Sequence, residues 1–178
     1  MPIDSDKKLK RIKWLTWLFI IGLFISGATA IPLKTELDAA AKLLGGTDLA
    51  HAARSTGFTF WILKVREAVR NTYFLYPFMA YGTDWLAFGH FVIAIAFVGP
   101  LRHPVRNRWL YQFGMISCAL VIPYAMILGG ARGIPVYWRL IDCSFGVFGL
   151  IPMWFCWRWT GELEKSDFNR RLTPINAD

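Results

Sequence analysis

Residues 14–33 read WLTWLFIIGLFISGATAIPL, a run of apolar and small residues with no charged side chain. A helix rises about 1.5 Å per residue, so this run is about 30 Å long, which matches the hydrocarbon core of a bilayer. A basic segment precedes the run and contains Lys7, Lys8, Lys10, Arg11 and Lys13. The run is therefore predicted to be a transmembrane helix that follows a basic, water-facing tail.

Three further stretches have the same length and apolar character, and these are residues 79–101, 109–128 and 137–157. The first of them contains Asp84 and His90, and the second contains Pro123. The third carries Arg139 and Asp142 near its start. Trp and Tyr occur at most ends of the four stretches, as in the aromatic belts of membrane proteins. The sequence thus predicts an all-α membrane protein with four transmembrane helices.

The composition of the 178 residues supports this class. Hydrophobic residues make up 55% of the chain and charged residues only 18%, against about 25% charged in soluble globular proteins. These proportions exclude a disordered chain, a disulfide-stapled secreted module and a coiled coil. The net charge of +8 fits a membrane protein with basic cytoplasmic ends better than a nucleic-acid-binding protein. We expect a single transmembrane four-helix bundle over residues 1–178.

The positions of Lys and Arg predict the orientation of the spans. Basic residues crowd the N-terminal tail, the short turn between the second and third spans, and the segment after the fourth. These segments share one side if four helices alternate, and the positive-inside rule assigns that side to the cytoplasm. We therefore expect a multi-pass protein of the cell membrane, the inner membrane in bacteria, with both termini cytoplasmic. Ala28-Thr29-Ala30 resembles a signal-peptidase site, but the first apolar run is long enough to span, so we expect it to stay uncleaved.

Residues 34–72, between the first and second spans, are predicted to form amphipathic helices on the outer membrane surface. Apolar residues recur at helical spacing up to Leu44, and Gly45-Gly46 ends that helix. Thr47 can cap a short second helix. From Phe58 onward apolar and charged residues occupy opposite faces, but the apolar run is too short to span. A helix in the outer interface is expected, and the alternative is a lid over the mouth of the bundle.

Small residues at regular spacing predict where the spans pack, because helices in a bilayer associate through close contact of small side chains. The predicted stripes are Gly22, Ser26 and Ala30 in the first span, Gly114 and Cys118 in the third, and Gly146 and Gly149 in the fourth. The three cysteines, Cys118, Cys143 and Cys156, are odd in number and form no C-x-x-C pair. They are interpreted as small packing residues and not as a redox centre.

Ionisable side chains inside a span are costly and mark functional sites by default. On the predicted topology such groups converge on the outer half of the bundle, and the predicted ligand-binding residues are Asp84, His90, Arg132, Arg139 and Asp142. Asp84 and Asp142 are expected to face one another across a shared wet pocket. The alternative for the fourth span is an i,i+3 ion pair between Arg139 and Asp142 that only anchors the helix.

Other chemistries lack their residues in this sequence. His90 has no histidine in another span to share a haem with, so a packed or hydrogen-bonded histidine is the favoured interpretation. Ser117 lacks the G-x-S-x-G elbow of a serine hydrolase. Metal-binding and phosphate-binding motifs are also absent from the sequence. No cofactor and no metal are therefore predicted, and no catalytic residue is assigned.

In its size, its four spans and its intramembrane acidic residues, the chain resembles the four-helix sterol isomerase and sigma-2 receptor group. The resemblance is one of architecture alone. The favoured hypothesis is an integral membrane protein with an outward-facing polar pocket for a lipid, an isoprenoid or a similar amphipathic ligand. The alternative is a non-enzymatic accessory subunit of a larger membrane complex. A small transporter or a membrane-embedded isomerase is a further alternative, so enzymatic activity stays open. Expected partners are the bilayer, an amphipathic ligand, and either a larger complex or further copies of the chain, but no nucleic acid.

Overall fold

The computed structural model describes residues 2–45 and 57–172, and every regular element in these ranges is helical. The helices are α1 Pro2–Ala30, α2 Leu33–Leu43, α3 Gly57–Leu75, α4 Tyr81–Ala96, α5 Val98–Arg102, α6 Arg108–Ala131 and α7 Val136–Leu172. A 3-10 turn, Pro77–Ala80, leads directly into α4. The prediction of an all-α protein is confirmed. Thr47, with the short helix that it was predicted to cap, lies outside the described residues.

Within the described ranges, four stretches of helix are long and apolar enough to cross a membrane. They are Ser5–Ala30, Pro77–Arg102, Arg108–Ala131 and Val136–Asn169. Each of them contains most or all of a predicted span, so the four predicted spans are confirmed as helices. This architecture is compatible with an integral membrane protein that crosses the bilayer several times.

The first and last spans are longer as helices than the sequence pattern predicted. Helix α1 includes the basic tail, and α7 continues through polar residues as far as Leu172. These two polar extensions contact each other, since Lys8 Nζ lies 3.1 Å from Glu162 Oε2. Ile12, four residues after Lys8, and Thr160, two residues before Glu162, are both fully buried. The contact between the two extensions therefore stabilises helical structure in segments that lie outside the predicted apolar spans.

The second span is not one continuous helix. Helix α4 ends at Ala96, and α5 begins at Val98. Pro100 explains the break, because proline has no N–H to bond the carbonyl of residue 96 and its ring clashes with that carbonyl. In the short helix α5, Pro100 occupies the first turn, where no intrahelical N–H bond is needed.

The chain divides into two compact units, the first comprising Met1–Ile21 with Ala94–Asp178 and the second comprising Gly22–Ile93. In the first unit α6 and α7 are antiparallel neighbours. A Cβ atom built on Gly146 would lie 2.5 Å from the Cys118 carbonyl oxygen, so only glycine permits this approach. Gly149 lies beside Cys118 as well. The predicted packing stripes of the third and fourth spans are confirmed.

The core of the first unit also contains polar groups from three helices. The Thr16 hydroxyl lies 2.9 Å from the Tyr111 hydroxyl, and both side chains are fully buried. The Thr16 hydroxyl also donates to the Ile12 carbonyl at 2.7 Å, and the Cys156 thiol lies 3.7 Å from the same oxygen. The Phe97 ring packs edge-on against Tyr111. These contacts join α1, α6 and α7.

The second unit contains α2 and α3, which pack against each other through the buried side chains of Leu37, Ala41, Ile62 and Leu63. Across this hairpin Arg66 Nε lies 2.6 Å from Asp38 Oδ1. Gly45 follows α2 with φ 90°, as its predicted role in ending that helix requires. The predicted stripe in α1 is wrong, because a Cβ atom built on Gly22 would have no neighbour within 4 Å and Ser26 is exposed. Gly27 instead approaches α4 at Ala87, His90 and Phe91.

Candidate functional site

A groove of about 630 Å³ runs along α6 in the first unit and includes one residue of α7, Asp142. Its apolar wall includes Leu120, Val121, Ala125 and Leu128. Its polar side chains are Ser117, Tyr124, Arg132 and Asp142. The lining residues of α6 recur at spacings of three or four, which places them on one face of the helix. The groove is open along one side and is not an enclosed cavity.

The depth of Asp142 follows from the register between α6 and α7. Arg139 Nη1 donates to the Met126 carbonyl at 3.1 Å, and the Cys143 thiol lies 3.9 Å from the Ile122 carbonyl. Because the two helices are antiparallel, Asp142 of α7 lies at the level of Tyr124 in α6. Arg132 follows α6 and lies eight residues beyond Tyr124, or about 12 Å along the helix axis.

Asp142 forms no hydrogen bond or ion pair with any residue that the structure describes. Its side chain is half-buried. A carboxylate in the apolar part of a span costs about 2.5–3.5 kcal/mol unless it is paired or hydrated. The groove is therefore the direction from which a counter-charge or a hydrogen-bond donor can reach Asp142.

Arg139 does not pair with Asp142, so the predicted i,i+3 ion pair is absent. Its side chain lies across Gly129, where a Cβ atom would come within 2.7 Å of Arg139 Cδ. Its Nη1 donates to Met126, near the end of α6. Met126 lies five residues before the end of α6, so the guanidinium meets a carbonyl oxygen close to the negative end of the helix dipole. The Arg139 Nε is buried without a partner among the described residues.

Asp84 belongs to the second unit, near the start of α4, and lines a shallow depression of about 270 Å³ with Tyr81, Trp85 and Phe88. The side chain of Asp84 is exposed, and so are the three rings. Because Asp84 and Asp142 lie in different units, the shared pocket between them stays a prediction.

His90 also belongs to the second unit, and its Nδ1 lies 2.8 Å from the Leu86 carbonyl oxygen. A carbonyl oxygen only accepts hydrogen bonds, so Nδ1 carries the proton. His90 lies six residues after Asp84, which places it about 120° away around α4. The structure therefore supports the interpretation of a hydrogen-bonded histidine and does not bring His90 to the depression that contains Asp84.

Of the five predicted site residues, only Arg132 and Asp142 line the same groove. Tyr124 and Ser117 also line it, and the sequence analysis did not assign them to a site. Their spacing from Leu120, Leu128 and Arg132 could have indicated that they belong to the groove, because all of them fall on one helical face.

The remaining candidate ligands and thiols are His, Cys, Asp and Glu side chains in the described ranges. These ranges contain no group of three such side chains that could hold a metal ion. Cys118, Cys143 and Cys156 are free and buried, as expected of packing residues.

Comparisons of the chain with protein-family models, with curated proteins and with solved structures give no match. The function must therefore be inferred from the chemistry of the groove and of the exposed faces.

Proposed function

We propose that this protein is an integral membrane protein that binds an amphipathic molecule, such as a lipid or an isoprenoid, in the groove along α6. The observation that carries the proposal is the unpaired Asp142 carboxylate in a groove with an otherwise mainly apolar wall. An apolar tail fits over Leu120, Val121, Ala125 and Leu128. A hydroxyl or ammonium group of the ligand would satisfy Asp142.

The distribution of charge along the groove supports a ligand with two polar features. Arg132 lies at the end of α6, close to the membrane surface, whereas Asp142 is about 12 Å deeper. An anionic or strongly polar group would meet Arg132, and a hydrogen-bond donor further along the molecule would meet Asp142. The stretch from Ser117 to Arg132 is about 22 Å long, which is enough for an extended hydrocarbon chain.

We also propose that the groove opens toward the outer leaflet of the cell membrane. On the positive-inside rule, the C-terminal end of α6 lies on the side opposite the basic N-terminal tail. The hairpin of α2 and α3 would lie on that outer surface, with exposed rings such as Phe58 and Phe60 in the headgroup region.

The experiment that tests this function is mass spectrometry of the lipids that co-purify with the full-length protein in mild detergent. Asp142→Asn keeps the shape of the side chain but removes its charge, and Ala125→Phe fills the apolar wall. Each variant should reduce the amount of a retained amphipath several-fold. Asp167→Asn, an exposed change near the end of α7, is the control and should leave it unchanged. Equal retention by all variants would contradict the proposal.

The open side of the groove favours a second function, that of an accessory subunit whose groove receives a helix from another membrane protein. Phe145 and Phe148 follow Asp142 along α7 and are 68% and 72% exposed. A basic or hydroxyl side chain on the incoming helix would then satisfy Asp142. In this case Asp142→Asn should change the size of the solubilised complex and leave the co-purified lipids unaltered.

A further inference from the structure

Four residues on one face of α4 combine three aromatic rings with a negative charge. Tyr81 lies three residues before Asp84 and four before Trp85, and Phe88 lies four and three residues after them, so the adjacent pair and both flanking rings share one side of the helix. The rings are 62%, 55% and 54% exposed in chain order. We call this set the α4 aromatic face.

The three rings hold one another in place. The centroids of Tyr81 and Trp85 are 5.9 Å apart with an interplanar angle of 87°. Those of Trp85 and Phe88 are 5.4 Å apart at 85°. Edge-to-face pairs at such distances are favourable, so the rings form a continuous ladder beside Asp84.

Asp84 has no counter-charge among the described residues. The sequence contains no Lys or Arg between Arg70 and Arg102, so α4 itself supplies none. The carboxylate and the electron-rich faces of the rings both attract cations, and none of the four side chains carries a positive charge. Its charge therefore selects a cationic partner.

We propose that the α4 aromatic face binds the ammonium group of a zwitterionic phospholipid. Aromatic side chains with a carboxylate are the chemistry that recognises ammonium groups, quaternary ones above all. The depression of about 270 Å³ is open along one side of α4. A lipid headgroup can therefore enter it.

The position of the face in the span explains why the partner is a lipid and not a dissolved cation. Asp84 lies seven residues from the start of the candidate span Pro77–Arg102. Tyr and Trp at the end of a span lie at the level of the headgroups. Phe88 lies one turn deeper than Asp84, beside the region where the acyl chains begin. A phospholipid can place its ammonium group at Asp84 and its acyl chains beside Phe88.

The test is native mass spectrometry of the full-length protein in detergent, with equal amounts of phosphatidylcholine and phosphatidylglycerol of identical acyl chains. We expect bound phosphatidylcholine to exceed bound phosphatidylglycerol about fivefold or more. Asp84→Asn and Trp85→Leu should each lower this ratio about fivefold, since each removes one of the two attractions on the cation. Trp85→Phe keeps a ring and should retain most of the preference.

Two matched controls separate this face from general effects of charge and aromaticity. Asp167→Asn removes an exposed carboxylate outside the face, and Trp17→Leu removes a ring of similar exposure, 52%, in α1. Both should keep the wild-type ratio. If Asp84→Asn does not fold, the comparison of Trp85→Leu with Trp85→Phe decides the question.

Three results would overturn the proposal. The first is a wild-type protein without preference between the two lipids, and the second is an unchanged ratio in both Asp84→Asn and Trp85→Leu. The third is displacement of phosphatidylcholine by an equal concentration of free choline, because the site would then recognise a dissolved cation. The α6 groove belongs to the other unit, so failure here leaves the proposed function to its own test.

Discussion

Replacement of Gly146 by alanine tests the closest approach between α6 and α7. The added Cβ would lie 2.5 Å from the Cys118 carbonyl oxygen, whereas ordinary contact begins near 3.4 Å. The two backbones would have to separate locally by the difference, about 0.9 Å. Overpacking of this kind lowers the free energy of unfolding by about 1–3 kcal/mol. The higher helix propensity of alanine offsets at most about 1 kcal/mol of this loss.

We therefore expect Gly146→Ala to destabilise the protein by about 1–2 kcal/mol. For a chain of this size each kcal/mol corresponds to about 2–4 °C, so the Tm should fall by about 2–8 °C. The assay is thermal unfolding of the detergent-solubilised protein, followed by size-exclusion chromatography of the fraction that remains monodisperse. Gly89→Ala is the matched control, because nothing lies within 4 Å of its added Cβ, and its Tm should stay level or rise.

A compensating change distinguishes a clash with backbone from a clash with a side chain. At Gly149 the added Cβ would lie 2.7 Å from Cys118 Sγ, which is a side-chain atom. Cys118→Ala should therefore offset Gly149→Ala but should not offset Gly146→Ala. A Tm of Gly146→Ala at or above the wild-type value would show that the register of α6 against α7 is wrong.

Three further predictions concern other parts of the chain. Thr16→Val should lower stability by about 1–3 kcal/mol, because it leaves the buried Tyr111 hydroxyl without its partner. Addition of Tyr111→Phe to that variant should recover part of the loss in the same thermal assay, and an unchanged Tm would contradict this. Asp38→Asn should weaken the ion pair with Arg66 by about 1 kcal/mol, which predicts faster amide exchange in α2 by mass spectrometry. Cysteines placed at the exposed positions Lys42 and Arg106 should react with an impermeant thiol reagent from opposite sides of the membrane, and labelling of both from one side would rule out the predicted topology.

The length and the apolar character of the spans could be predicted from sequence because the bilayer imposes a one-dimensional constraint. Residues 14–33 lack charge over the thickness of a hydrocarbon core, and no alternative soluble fold accommodates such a run readily. The same holds for the end of α2, since Gly45 adopts the positive φ that favours glycine locally. The break before Pro100 also had its signal in the sequence, although the span was predicted as continuous.

Other features depend on how helices are rotated and aligned against each other, and the sequence does not contain that information locally. Arg139 and Asp142 have the spacing of an ion pair, yet Arg139 reaches Met126 because α7 packs on α6 at Gly129. The choice of Gly27 over Gly22 as the contact with α4 has the same origin.

The candidate sites show this division most clearly. The sequence alone identified Asp84 and Asp142, because a carboxylate within an apolar run is costly wherever the helix lies. The rings beside Asp84 follow from the spacing of Tyr81 and Trp85 along its own helix. Only the tertiary structure decided the surroundings of Asp142, which lies in a groove with Tyr124 and Arg132 from another part of the chain. The physical reason is that the cost of a charge depends on its own depth, whereas its neighbours depend on the rotation and register of whole helices.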